Sequence, residues 1–353
     1  MTVLVLPHGL TNICALIGHL SKTYRVDELT FVLDKTRRGL NVYKFMRMFQ
    51  GYEESHIQWL DRKNMKDGDL SIIKDIENFG PEQVGQRAWG LKNIKNHTRI
   101  VTTHPSYYTS VLFVSAYYGL QPSLVISCID GRPLGELYPS RMTNSSISLL
   151  STRLNHLAER QFFMPYCHPS WNLPGISFYE LMLERVDIRG TLTLITSALL
   201  SLRKPGAFIE SLKEEYCNCA MFIDCGYDYP GIDKSKLIVG ISFQLKAIRA
   251  QGLKLVAKPI PGEYNSVIKE LVRLGIVFDY ILPEHIPAEL MIEILQPTIV
   301  VTTPSTALQA VDINTVGILW IDIHGTLPQV REALRKAYRK ILPEPIMKLQ
   351  TSY

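Results

Sequence analysis

Short apolar runs rich in Val, Ile and Leu alternate with segments of helical periodicity along most of the chain. This alternation constrains the fold more than any other feature, because strands joined through helices line up in parallel and need helices on both faces of the sheet. Thr2–Leu6 reads as a buried strand and is broken by Pro7-His8-Gly9. Thr11 or Asn12 then caps a helix through about Leu20, with Ile13, Leu16, Ile17 and Leu20 on one face. Further strands are expected at Leu29–Leu33, Arg99–Thr103 and Ser123–Ile129, and helices at Tyr43–Met48, Asp69–Asn78 and Tyr107–Tyr118. From Ala220 the pattern becomes regular again. Strands are expected at Met221–Asp224, Leu253–Ala257, Phe278–Leu282, Thr298–Thr302 and Thr315–Ile321. Helices at Lys236–Arg249, Val267–Leu274 and Pro287–Leu295 separate them, and Leu327–Ile341 forms a last one.

Between Pro139 and Lys204 the alternation lapses. Three prolines (Pro165, Pro169, Pro174) interrupt it, and helical pieces at Ser148–Glu159, Phe178–Val186 and Thr191–Leu202 suit a connecting region. With 353 residues the chain is long for one core and suits two. The expected organisation is an N-terminal Rossmann-like domain over 1–205 and a C-terminal one over 206–353, each α/β.

Composition excludes several classes. Hydrophobic residues make up 46% and charged residues 20%, which is globular rather than disordered. A net charge of +5 suits an anionic ligand but is too small to imply nucleic acid. The six cysteines are scattered; neither a disulfide framework nor a metal site is expected from them, and Cys217-Asn218-Cys219 with Cys225 lacks a complete ligand set. The longest apolar run, Leu192–Leu202, is shorter than the ~20 residues of a membrane span. A cytoplasmic protein is expected. The basic residues Arg331, Arg335, Lys336, Arg339 and Lys340 on the last helix form either a solvated face or a peripheral contact with the inner membrane surface.

Ligands of parallel sheets bind beyond the carboxyl ends of strands, so the chemistry-bearing residues there matter most. Lys258-Pro259-Ile260-Pro261 follows one strand, and a lysine there offers a point charge to phosphate. Pro287-Ala288-Glu289 opens a helix; Glu289 suits the helix dipole, and it also suits two ribose hydroxyls. Ser305-Thr306 lies where a strand passes into a helix, as a cap or as an anion cradle. In the first half, Asp130-Gly131 ends a strand. Gly131 permits a tight turn, and Asp130 is then placed in the crevice between domains to take a proton from a hydroxyl. His8, Gly9 and Asn12, on the first strand-end loop, are candidates to line the same crevice. No G-x-G-x-x-G accompanies them.

In this order these residues resemble bacterial GT-B sialyltransferases, the polysialyltransferase and lipooligosaccharide sialyltransferase families. Asp130-Gly131 resembles the end of their acidic–acidic–Gly motif, and Lys258 and Pro261 their Lys-x-His-Pro motif. Pro287-Ala288-Glu289 resembles their Pro-x-Glu segment, and Ser305-Thr306 their Ser-Ser/Thr motif. The chain departs from these patterns at Ile129, Ile260 and Pro304. Isoleucine at 260 can neither donate a hydrogen bond nor carry charge, as the histidine there would.

The resemblance implies two Rossmann-like domains facing each other across a crevice. It implies an inverting transferase that moves a sialic-acid-type sugar from a CMP donor to a glycan hydroxyl, as in bacterial surface polysaccharide or lipooligosaccharide synthesis. Asp130 would be the base, and Lys258, Pro261, Glu289, Ser305 and Thr306 would hold the nucleotide. No cofactor or metal is required on this reading. Ile260 leaves open a different donor, such as CMP-Kdo or a nucleoside diphosphate sugar, and the three departures leave open a relative without catalysis.

Overall fold

The structure is a computed structural model that describes residues 2–7, 9–10, 12–49, 51–60, 97–103, 125–130, 180–224, 233–261, 266–302, 307, 310–311 and 316–320. For 2, 60, 97–98, 125–130, 180–185 and 317–320 it describes the backbone alone. The helices expected at Asp69–Asn78, Tyr107–Tyr118, Ser148–Glu159 and Leu327–Ile341 lie outside these residues, as do His8, Gly131, Ser305 and Thr306.

The chain divides into two units. In the first, the strands are β1 (Thr2–Leu6), β2 (Leu29–Asp34), β3 (Ile57–Leu60), β4 (His97–Thr102), β5 (Val125–Asp130) and β6 (Glu180–Arg185). They form a parallel sheet in the order β3-β2-β1-β4-β5-β6. This is the winding of a Rossmann sheet, which starts at the centre, runs to one edge, and returns to continue on the other side. Helix α1 (Ile13–Thr23) buries Ile13, Leu16, Ile17 and Leu20, the stripe its periodicity predicts. Its N-cap is Asn12, but the side chain makes no cap hydrogen bond; the residue is left-handed, with φ 55°. Helix α2 (Arg37–Met46) starts six residues earlier than expected, because Thr36 caps it by accepting from the Gly39 amide.

The second unit comprises the described residues from Ile188 onward. Its strands β7 (Ala220–Ile223), β8 (Leu255–Lys258), β9 (Tyr280–Ile281), β10 (Ile299–Thr302) and β11 (Gly317–Trp320) pair in the order β11-β10-β7-β8-β9. All pairings are parallel, and the winding repeats that of the first sheet. Helix α3 (Ile188–Leu200) and helix α4 (Arg203–Tyr216) precede β7; α5 (Lys234–Ala250) and α6 (Ile268–Arg273) flank β8; and α7 (Ala288–Leu295) leads into β10. Phe222, Leu237, Ile241, Leu245, Leu271 and Val301 meet in the core on one side of the sheet.

Several expectations are corrected. Phe178–Val186 was expected to be helical, but Glu180–Arg185 is strand β6, paired in register with β5 from Val125↔Glu180 to Asp130↔Arg185. Its Glu, Leu and Met favour helix in isolation, and an available sheet edge outweighs that preference. The units divide at Asp187/Ile188 rather than near 205. Helix α3 belongs with the second unit: Thr193 Oγ1 donates to Glu293 of α7 (3.0 Å), and Arg189 donates to the Val311 carbonyl (2.7 Å). Strand β9 is shorter than predicted. Asp279 instead bonds its side chain to the Leu255 amide (2.8 Å) and to Arg249 (2.8 Å), so one side chain anchors the start of β8.

Candidate functional site

Each sheet reverses its winding once, beside β1 in the first and beside β7 in the second. At such a point the loops leaving two adjacent strands diverge and open a crevice for a ligand. Both units treat this point alike. Thr102, last in β4, donates its hydroxyl to the Leu6 carbonyl (3.0 Å), and Thr302, last in β10, donates to the Ile223 carbonyl (3.4 Å). In both cases the partners are register neighbours at the ends of their strands.

In the second unit, Lys258 ends β8 and is only 2% exposed. Its ammonium donates to the Pro259 carbonyl (2.9 Å) and to the Glu284 carbonyl (3.4 Å). It therefore ties the loop after β8 to the loop after β9. Burial lowers its pKa to about 8, opposed by the negative charges of Glu289, Glu284 and Asp224 in that order. Lys258 and Glu289 are thus brought together, and Glu289 sits in the first turn of α7, where the helix dipole favours a carboxylate. Pro261 lies in the turn after β8, half-buried. Ser305 and Thr306 follow Thr302 in sequence but lie outside the described residues.

Asp224 was not singled out by the sequence reading. It directly follows β7, at the reversal of the second sheet, and is 4% exposed. Its Oδ2 accepts from the Val267 amide (3.2 Å) and its own amide donates to the Lys258 carbonyl (3.0 Å). Oδ1 is buried with no hydrogen-bond partner among the described residues. Burial raises its pKa to about 7; hydrogen bonds from Ser266 and Val267 pull it down, Glu270 pushes it up, and Lys234 pulls it down. A signal existed: an acid directly after the apolar run Ala220–Ile223, at the end of a strand.

In the first unit, Asp130 is the last residue of β5, paired with Arg185 in register, so the expected strand-end placement holds for its backbone. Gly9 is left-handed (φ 56°) in the turn after β1, with Arg38 Cβ and Cδ 3.9 Å from where a Cβ would stand. Asn12 closes the same turn. The sequence also holds one Asp-x-Asp, Asp67-Gly68-Asp69, outside the described residues. Among the described residues no three His, Cys, Asp or Glu side chains converge as metal ligands, and no helix is long and apolar enough to cross a membrane.

No family model and no curated protein matches the sequence. Among solved structures, the chain is similar to an alpha/beta-galactoside alpha-2,3-sialyltransferase from Photobacterium phosphoreum, with 12% identity over 96% of this chain and 95% of that one, at a TM-score of 0.48. It is similar to the UDP-GlcNAc 2-epimerase of Methanocaldococcus jannaschii, with 10% identity over 97% and 93%, at 0.47. A third similarity is to the UDP-GlcNAc 2-epimerase of Neisseria meningitidis bound to UDP-GlcNAc, with 12% identity over 99% and 94%, at 0.45.

Proposed function

We propose that the chain is an inverting glycosyltransferase of the GT-B type that moves a nonulosonic acid from a CMP donor to a glycan hydroxyl. The observation that carries this reading is the juxtaposition of Lys258, last in β8, with Glu289, in the first turn of α7, in a doubly wound unit. Such ends are where nucleotides lie in folds of this winding. Glu289 would accept the ribose hydroxyls. The backbone around Ser305 and Thr306 would receive the phosphate, and Lys258 would hold the two intervening loops in place while adding a buried positive charge. Asp130 would take the proton of the acceptor hydroxyl as that oxygen attacks the anomeric carbon, and CMP would leave with the bonding electrons. The chemistry on this reading calls for no resident metal or cofactor. The partners are the nucleotide sugar and a glycan acceptor, with the inner membrane surface as the setting for a lipid-borne one.

The test combines binding and transfer. CMP at about a hundred times its Kd should stabilise the protein by about 2.7 kcal/mol. Glu289→Ala should weaken CMP binding by roughly tenfold. Asp130→Ala should lower transfer by about 10²–10⁴-fold and leave CMP binding nearly unchanged. Full transfer by Asp130→Ala removes the assigned base. Ile260 favours one second reading, a different donor. A thermal-shift comparison of CMP, CDP, UDP and GDP separates the two: tighter binding of a diphosphate selects the alternative.

A further inference from the structure

One residue spans both ends of the loop that carries Pro259, Ile260 and Pro261. Where this loop leaves β8, the Asp224 amide donates to the Lys258 carbonyl (3.0 Å). Where it enters α6, Asp224 Oδ2 accepts from the Val267 amide (3.2 Å), and the Ser266 side chain also bonds the carboxyl. Lys258 then extends the brace, from the Pro259 carbonyl to the Glu284 carbonyl before α7. The loops after β7, β8 and β9 are thereby joined through two buried side chains, 4% and 2% exposed.

We infer that Asp224 is a positioning residue for the strand-end site, and that its hold on the loop between β8 and α6 depends on whether its carboxyl is ionised. The inference rests on the nucleotide-site reading for its consequence, but not for its geometry. An ionised carboxylate accepts the Val267 amide through a charge-assisted bond, the stronger kind. A neutral carboxyl accepts more weakly, and it brings an O–H into a place where Oδ1 has no partner among the described residues. Ionisation therefore tightens the brace and protonation slackens it. Among the described residues, the charged groups facing the carboxyl are Glu270 of α6, Lys234 of α5 and Lys258 of β8. Glu270 favours the proton, and the two lysines favour its loss. Burial, with these neighbours, sets the change near pH 7, so the loop responds within the neutral range.

The experiment follows the full chain between pH 6 and pH 8, as wild type and as Asp224→Asn. Asparagine keeps the acceptor oxygen but cannot ionise. Amide hydrogen exchange at Val267, corrected for the intrinsic base-catalysed rate, should slow by roughly fivefold across this range in wild type and stay level in Asp224→Asn. CMP affinity, by titration calorimetry, should rise over the same span in wild type alone. Level exchange in wild type, or the same change in Asp224→Asn, overturns the inference. An affinity that falls with pH in wild type alone also overturns it, because the carboxylate would then repel the phosphate directly. If CMP does not bind at any pH, the nucleotide reading fails, and the Val267 profile still decides whether Asp224 positions the loop.

Discussion

Thr102 and Thr302 do the same work in the two units. Each hydroxyl serves a carbonyl at the end of the first strand of its sheet, where the chain turns away toward a loop. Both side chains are fully buried, so removing the hydroxyl leaves an acceptor out of water with one partner fewer. Thr102→Val and Thr302→Val should each cost about 1 kcal/mol in urea unfolding, with little change in volume to confuse the result. A loss of a few tenths or less in both would mean that other donors satisfy these carbonyls. The strand-end placement of Lys258 and Asp130 was legible from the sequence, because apolar runs announce where strands stop, and the first-turn placement of Glu289 was legible from Pro287. The inward turn of Lys258 was not. Nothing in Lys258-Pro259-Ile260-Pro261 says that the ammonium bonds the Pro259 and Glu284 carbonyls, since one of these partners is distant in sequence and both are backbone.

At the scale of elements, helices with a clean stripe were read correctly, as α1 and α5 illustrate, because burial of one face produces the periodicity that reveals them. Elements that depend on a partner were not. Strand β6 exists because β5 offers an edge, and α4, not among the expected helices, carries Pro205 and Gly206 in its first turn. Proline is tolerated there, since the first turn has no use for its amide. Gly206 has a different reason: a Cβ would stand 2.5 Å from the Leu200 carbonyl oxygen, where the end of α3 meets the start of α4. Two effects oppose each other in Gly206→Ala. Helix propensity favours alanine by about 1 kcal/mol, while the clash is with backbone, which cannot swing aside, and overpacking of this kind costs about 1–3 kcal/mol. The clash should win. Chemical denaturation is expected to find the variant less stable, and a stabilised variant would mean that α3 and α4 can separate at their junction without penalty.

For the whole molecule, two sheets of the same winding occupy the two units, and among the described residues of the second the buried charged side chains, Asp224 and Lys258, stand at the carboxyl ends of strands. A fold selected for stability alone has little reason to put a lysine at 2% exposure between two loops. The charge should therefore impose a measurable cost. The Lys258 pKa is lowered to about 8 from 10.5, chiefly by burial, so the folded state gives up the proton more readily than the unfolded chain does. Stability linked to this group is then fully present above the unfolded value, and is lost as pH falls through the folded one. For wild type compared with Lys258→Met, the difference in unfolding free energy should shift in favour of wild type between pH 7.5 and pH 10.5, by up to about 3 kcal/mol. Comparing the two proteins cancels the other groups that titrate in this range. Methionine fills the volume but leaves the Pro259 and Glu284 carbonyls without their donor, which offsets part of the relief at neutral pH. That makes the slope, rather than the value at one pH, the quantity to measure. Parallel curves from urea titrations of the two proteins would mean that Lys258 is as well solvated folded as unfolded, and that the loops it joins are held by something else.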